Sequence, residues 1–111
     1  MDDRSAPALV VGLGRSGVAA ALLAVDDGAR VRVTDVRTAD QLTEAVGALP
    51  ASVETVLGGH PSSCLDGVSR VIVSPGVPAD APLLAAARAA GLEVLSEVEF
   101  AWRHRPDAPL V

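Results

Sequence analysis

Apolar and polar positions along this chain switch repeatedly between two patterns. Ala8–Val11 is a short continuous apolar run, as expected of a strand buried on both faces. From Ser16 onward, Val18, Ala21, Leu22 and Val25 recur at helical spacing, and Gly28 predicts the end of that helix. ARVRVTD, Ala29–Asp35, reads as a second strand that finishes on an acid. A weaker helix is predicted over Asp40–Ala48, closed by Pro50, and a third strand over Val53–Gly59. RVIVSPGVP, Arg70–Pro78, reads as a fourth strand with Val71, Ile72 and Val73 buried and a loop beginning at Ser74. Asp80 is expected to cap the next helix, with Pro82 in its first turn and Gly91 at its end. Leu92–Leu95 is a short fifth strand. SEVE, Ser96–Glu99, then has the form of a capping box and opens a last helix running through Trp102 and stopping before Pro106.

Strands alternating with helices at this spacing predict an α/β chain. The expected form is a Rossmann-like, open, mostly parallel five-stranded sheet with helices on both faces. At 111 residues the chain fits a single domain, assigned to residues 1–105. The last residues, APLV (Ala108–Val111), look like the start of another buried strand, so the chain reads as the front portion of a longer protein.

Composition narrows the class. Half of the residues are apolar and twenty are alanine, which suits helices lying close on a sheet and argues against disorder. The aromatics are Phe100 and Trp102 alone, too few for a base-stacking platform, and the net charge of −5 opposes general phosphate-backbone attraction. No nucleic-acid partner is therefore expected. All nine basic residues are arginine, which excludes a Schiff-base lysine or a Walker-type phosphate lysine within these residues. A single cysteine, Cys64, excludes an internal disulfide and a cysteine-based zinc site. The acidic, polar start MDDRSAPA is unlike a signal peptide. The longest apolar run, Val18–Val25, is far short of the roughly 20 residues that span a bilayer. The expectation is a soluble, cytoplasmic protein with no membrane partner.

Candidate chemistry sits in two loops. In GLGRSG, Gly12 permits a tight turn, Gly14 lets a ligand approach the backbone, and Gly17 lets the helix pack close to the strand. The free amides and positive dipole end of the following helix favour an anion there. The motif follows a strand, opens a helix and is followed by Asp35 at the end of the second strand, a context that favours a nucleotide over a turn serving packing alone. Asp35 suits ribose hydroxyls and Arg37 suits a 2′-phosphate, which Asp35 would repel. The pair does not choose between the nicotinamide cofactors, and it can instead frame a different nucleotide; an ordinary solvated Arg37 stays open as well.

The second loop is SPGVP, Ser74–Pro78, at the carboxyl end of the fourth strand, where ligands of open parallel sheets bind. Gly76 removes a side chain from the ligand's path, and Pro75 and Pro78 keep the loop stiff, which lowers the ordering cost of binding. The alternative is a plain turn into the next helix. His60 and His104 lack neighbours at metal-ligand spacing and read as surface or structural residues. Glu97 and Glu99 fit the capping turn better than acid–base chemistry, and Cys64 has no activating base. No nucleophile, base and orienting acid assemble, so no catalytic or metal residue is assigned and the chain reads as a binding domain.

VVGLGRSG, Asp35 with Arg37, LGGH, VIVSPGVP with PLLAAARAAGLEV, and SEVEF occur in one order and spacing. Together they resemble the N-terminal domain of the MurD-type, D-glutamate-adding ligases of the Mur ligase family, over roughly Leu9–Val111. The resemblance implies that the bound pyrophosphate belongs to a UDP-sugar, UDP-N-acetylmuramoyl-L-alanine, in peptidoglycan synthesis. It assigns the UDP moiety to Gly14, Arg15, Ser16 and Gly17, with Arg15 and Ser16 at the diphosphate. Asp35, Val36 and Arg37 would line the uridine pocket, Val36 through its backbone, and Ser74, Pro75 and Gly76 would close the other wall. It further implies ATP and magnesium, an acyl-phosphate intermediate and amide formation with D-glutamate, all in central and C-terminal domains. Residues 106–111 would be the linker and first strand residues of that central ATP-binding domain. This chain would bind without a cofactor of its own and would not catalyse. The competing reading is an NAD(P)-binding domain of a dehydrogenase or a ligand-sensing regulator, which leaves SPGVP unexplained.

Overall fold

The computed structural model describes residues 6–59, 61–78 and 80–104. Its elements are β1 (Ala8–Val11), α1 (Arg15–Asp26), β2 (Val31–Asp35), α2 (Thr43–Gly47), β3 (Glu54–Leu57), β4 (Arg70–Val73), α3 (Pro82–Ala89), β5 (Glu93–Ser96) and α4 (Glu97–His104). Short 3-10 turns cover Ala39–Gln41 and Ser62–Leu65. The strands form one sheet in the order β3-β2-β1-β4-β5, and all four pairings are parallel.

Side-chain alternation along the strands builds a core on each face. Ala8 and Val10 of β1 join Val31, Val33, Ile72 and Leu95 beneath α1 and α4, with Ala20, Ala21, Ala24 and Phe100 as the helical contribution. Leu9, Val11 and Val71 face the other way, under Leu83, Leu84 and Ala87 of α3 and beside Cys64 and Val68. The alanines of α1 let it lie close to the sheet while touching α4. The expected open parallel sheet with helices on both faces is what the chain forms.

This order creates a topological switch. The chain builds outward from β1 through β2 to β3, then crosses back to place β4 on the other side of β1. The loops leaving the carboxyl ends of β1 and β4 therefore diverge to opposite faces and leave a crevice between them, the usual ligand position in such sheets. Residues 12–14 and 74–77 are those loops.

Several local expectations are corrected. The predicted helix over 40–48 is split: Thr38 and Gln41 form a capping box around the first 3-10 turn, and Leu42, buried in the core, interrupts the helix before α2. Asp80 does not cap α3. Pro82 occupies the first helical position and holds the preceding Ala81 in an extended conformation (ψ 139°), which makes Ala81 the cap residue. β2 starts at Val31 because the Ala29 amide still closes helix α1 by donating to Ala24 O. β3 ends at Leu57, since Gly58 and Gly59 turn to donate to Asp35 O. Val73 is half-buried rather than buried, and β5 is shifted by one residue so that Ser96 ends it. Ser96 Oγ then accepts the Glu99 amide at 3.1 Å, whereas the Glu99 carboxylate pairs with Arg103. His60 and the 106–111 segment lie outside the described residues.

Candidate functional site

The glycine turn is shaped by three different demands. Gly12 has φ +95°, a conformation that strains any residue with a Cβ, and a Cβ there would stand 2.9 Å from Ser74 Cβ. A Cβ on Gly17 would fall 1.9 Å from the Gly12 carbonyl oxygen, so the first turn of α1 rests directly on the loop before it. Gly14 is different, with nothing within 4 Å of its hypothetical Cβ. It is also the N-cap of α1 and provides no side-chain cap. The first amides of a helix have no intrahelical acceptor, and here no side chain replaces one. The open space beside Gly14 and the donors at Arg15–Gly17 are thus left for another group.

Asp35 ends β2 and is 4% exposed. Its carboxylate accepts the Leu13 amide at 2.8 Å, the Arg37 amide at 2.8 Å, and the Arg37 guanidinium through Nε at 3.1 Å and Nη2 at 2.9 Å. Burial alone would raise its pKa. The hydrogen bonds from the Arg37 side chain and backbone and from Leu13, with the charge of Arg37, outweigh burial and bring it down to about 2. Asp35 consequently clasps the glycine turn to the turn after β2, and it fixes the Arg37 guanidinium at the rim. Gly58 and Gly59 complete this clasp, their amides donating to Asp35 O and that of Gly58 also to Arg37 O. Both glycines belong to the LGGH stretch, whose pattern in the sequence carries no sign of this task.

The opposite wall begins at Ser74, which is nearly buried. Its amide donates to Val11 O at 3.0 Å, continuing the β1–β4 ladder past the strand end. Its hydroxyl lies 3.2 Å from Gly12 O and 3.3 Å from Glu97 Oε2. Glu97, at the first position of α4, is 7% exposed. Its place in the capping turn was visible in the sequence, but its contact with Ser74 was not.

Gly12, Gly14, Ser16, Asp35, Val36, Arg37, Ser74, Pro75, Gly76 and Val77 line a single crevice of about 300 Å³. The two loops singled out by sequence therefore face each other, and the Asp35–Arg37 turn joins them. Two sequence-predicted residues sit elsewhere. Gly17 is buried against the Gly12 carbonyl, and Arg15 projects toward a neighbouring hollow of about 530 Å³ that runs along Gln41–Ala45. That hollow is larger, but it holds no part of the 74–77 loop and meets the crevice only along Gly14 and Arg37. Val36 is exposed at the crevice edge. The arrangement suits an anionic, partly planar ligand: amides and a fixed guanidinium on one side, a proline-glycine wall on the other.

Nucleophilic chemistry has no support here. The Cys64 thiol is buried, burial raises its pKa, and it lies on the other core beneath α3. Among the described residues no group of three His, Cys, Asp or Glu side chains is placed to hold a metal ion. Among them, too, no helix is long and apolar enough to cross a membrane.

Comparison with known proteins bears on the family and the fold. Residues 6–96 match the family described as Mur ligase MurD-like, N-terminal domain. The chain is 50% identical over 102 residues to the UDP-N-acetylmuramoylalanine–D-glutamate ligase of Anaeromyxobacter dehalogenans, covering 92% of this chain and 22% of that one. It is 47% identical over 100 residues to the protein of the same name from Frankia casuarinae, covering 89% and 21%. The same name and identity apply over 96 residues in Geobacter metallireducens, covering 86% and 21%. The chain thus spans about a fifth of the length of these curated relatives. Among solved structures, glycerol-3-phosphate dehydrogenase from Coxiella burnetii superposes with a TM-score of 0.56 at 18% identity, over 89% of this chain and 37% of that one. That likeness concerns the fold alone.

Proposed function

Because the chain belongs to the family of MurD-like Mur ligase N-terminal domains, we propose that its crevice binds the UDP end of UDP-N-acetylmuramoyl-L-alanine. One observation carries this reading: the glycine turn, the Asp35–Arg37 turn and the Ser74–Val77 loop line one crevice at the sheet's switch point. The diphosphate would lie beside Gly14, where a Cβ meets nothing, against the amides of Arg15, Ser16 and Gly17. The uracil and ribose would lie along Val36 and Arg37, with Pro75 and Gly76 opposite. Arg15, which lines the adjoining hollow, would reach the diphosphate from the side.

In the whole protein, this domain would serve a cytoplasmic ligase that joins D-glutamate to the substrate carboxylate in peptidoglycan synthesis. ATP and magnesium would activate that carboxylate as an acyl phosphate. This chain has no lysine and, among its described residues, no metal-ligand cluster, so those groups would be held by other domains. Its own contribution is positional. Gripping the nucleotide end turns an encounter between large reactants into a held geometry, and binding energy from this remote part supports the chemistry at the other end.

The NAD(P) reading is disfavoured by Asp35. A dinucleotide site uses that acid for ribose hydroxyls, whereas here its oxygens are occupied by Leu13 and Arg37. Calorimetric titration of the chain with UDP, NAD and NADP tests the choice. Saturable binding of UDP in preference to both nicotinamide nucleotides is the expected result. Preference for NAD or NADP would overturn the proposal.

A further inference from the structure

We propose that Glu97 is a positioning residue for the crevice: through the Ser74 hydroxyl it ties the start of the 74–77 loop to α4. It does so without touching the ligand. The inference rests on the nucleotide-binding reading for its consequence, but the contact itself stands on geometry.

A carboxylate as buried as Glu97 is costly unless hydrogen bonds and local charge compensate it. Two features do so. Glu97 begins α4, where the helix dipole favours an anion, and Ser74 Oγ donates toward Oε2 at 3.3 Å. The same Ser74 oxygen lies 3.2 Å from Gly12 O. A hydroxyl has one proton, and both of these neighbours are acceptors. The charged carboxylate is the stronger acceptor, so the proton lies on the Glu97 side and Ser74 has none left for a phosphate or uracil. The hydroxyl therefore ties β4 to α4 and presents only lone pairs to a ligand.

Location explains why Glu97 acts indirectly. It is absent from the crevice lining and belongs instead to an apolar hollow behind Pro75, shared with Ala19, Leu23, Val98 and Phe100. Ser16 and Pro75 line both that hollow and the crevice. The Ser74 Cβ stands 2.9 Å from where a Gly12 Cβ would be, so the two walls meet by contact. Loss of Glu97 leaves the hydroxyl to turn to Gly12 O. The loop then loses its tie to α4 while the sheet beneath it stays intact.

The test is a double-mutant cycle on the chain, reading UDP affinity by calorimetry and backbone amide exchange in the free protein. S74A and E97A are each expected to weaken UDP about tenfold, the effect of one hydrogen bond to a charged group. The S74A/E97A pair is expected to lose no more than either alone, since both remove one tie. E97Q keeps an acceptor for Ser74 and is expected within about threefold of the parent. Additive losses reaching about a hundredfold, or E97A binding like the parent, would overturn the proposal. In the free protein, E97A should speed exchange of the Val77 amide, which donates to Ser74 O. Unchanged exchange overturns the tie even if UDP does not bind at all, whereas faster exchange without UDP binding upholds the tie and defeats only the nucleotide reading. If E97A does not fold, S74A takes its place in the exchange experiment and E97Q must still match the parent.

Discussion

The two walls of the crevice are built by different physics. The glycine turn is held by exclusion: backbone occupies the places where side chains would be, at Gly12 against Ser74 and at Gly17 against a carbonyl. The 74–77 wall is held by attachment, through a ladder bond to Val11 and the Ser74 hydroxyl between Gly12 O and Glu97. A wall made by exclusion tolerates no added atom where backbone or Ser74 fills the space, at Gly12 and Gly17. A wall made by attachment accepts added atoms but fails when a distant partner is removed.

Substitutions can break this contrast in a graded way. The largest effect is expected for Gly17→Ala, whose Cβ would sit 1.9 Å from the Gly12 carbonyl. It should destabilise the chain by about 3 kcal/mol or more, lowering the melting temperature by more than about 10 °C in a thermal scan. A melting curve like the parent's would show that α1 can move off the turn, and the exclusion account would fail.

Asp35→Asn comes next, because this carboxylate joins the excluded wall to the rim. Its pKa falls from an ordinary value of 3.8 to about 2 in the folded chain, which corresponds to about 2 kcal/mol of stability near neutral pH. The sign follows from the depression: the contribution is complete above the unfolded value near 4 and is lost as pH falls through about 2. Urea unfolding between pH 6 and pH 2 should therefore show a steeper loss in the parent than in Asp35→Asn. Parallel curves would mean that the clasp contributes nothing.

Gly14→Ser separates function from fold within the same turn. Serine is a favoured N-cap and the site has room for its side chain, so stability should stay within about 0.5 kcal/mol of the parent. Its hydroxyl oxygen would take the amides that a phosphate needs, and UDP affinity should fall at least about tenfold. Unaltered affinity would move the diphosphate elsewhere. The smallest effect is expected at Arg103→Gln, where exposed pairs with Glu93 and Glu99 lie far from both walls. Melting temperature and UDP affinity should match the parent, and a loss of either would show that α4 couples to the site by a route other than Glu97.

The same contrast explains what the sequence made legible. Exclusion is a local matter of glycine spacing, so the turn at 12–17 and its place between β1 and α1 could be read directly. Buried strands were legible as apolar runs, and the loop at Ser74 followed from where such a run stopped. Attachment depends on residues far apart in the chain. Nothing at Glu97 announces its link to Ser74, 23 positions away, and nothing at Asp35 announces the Leu13 amide, 22 positions away. The split of the predicted 40–48 helix has the same origin, because Leu42 turns inward to a core that its neighbours do not define. Arg15 and Gly17 share a motif with Ser16 but not its direction, and only the three-dimensional arrangement sorts them.

The central claim is that both walls grip one uridine diphosphate. Amide chemical-shift mapping of the chain during a UDP titration tests it most directly. The account predicts saturable shifts at Arg15, Ser16 and Gly17 together with Gly76 and Val77, all with one affinity. Shifts confined to the hollow along Gln41–Ala45, with the 76–77 amides unmoved, would contradict it.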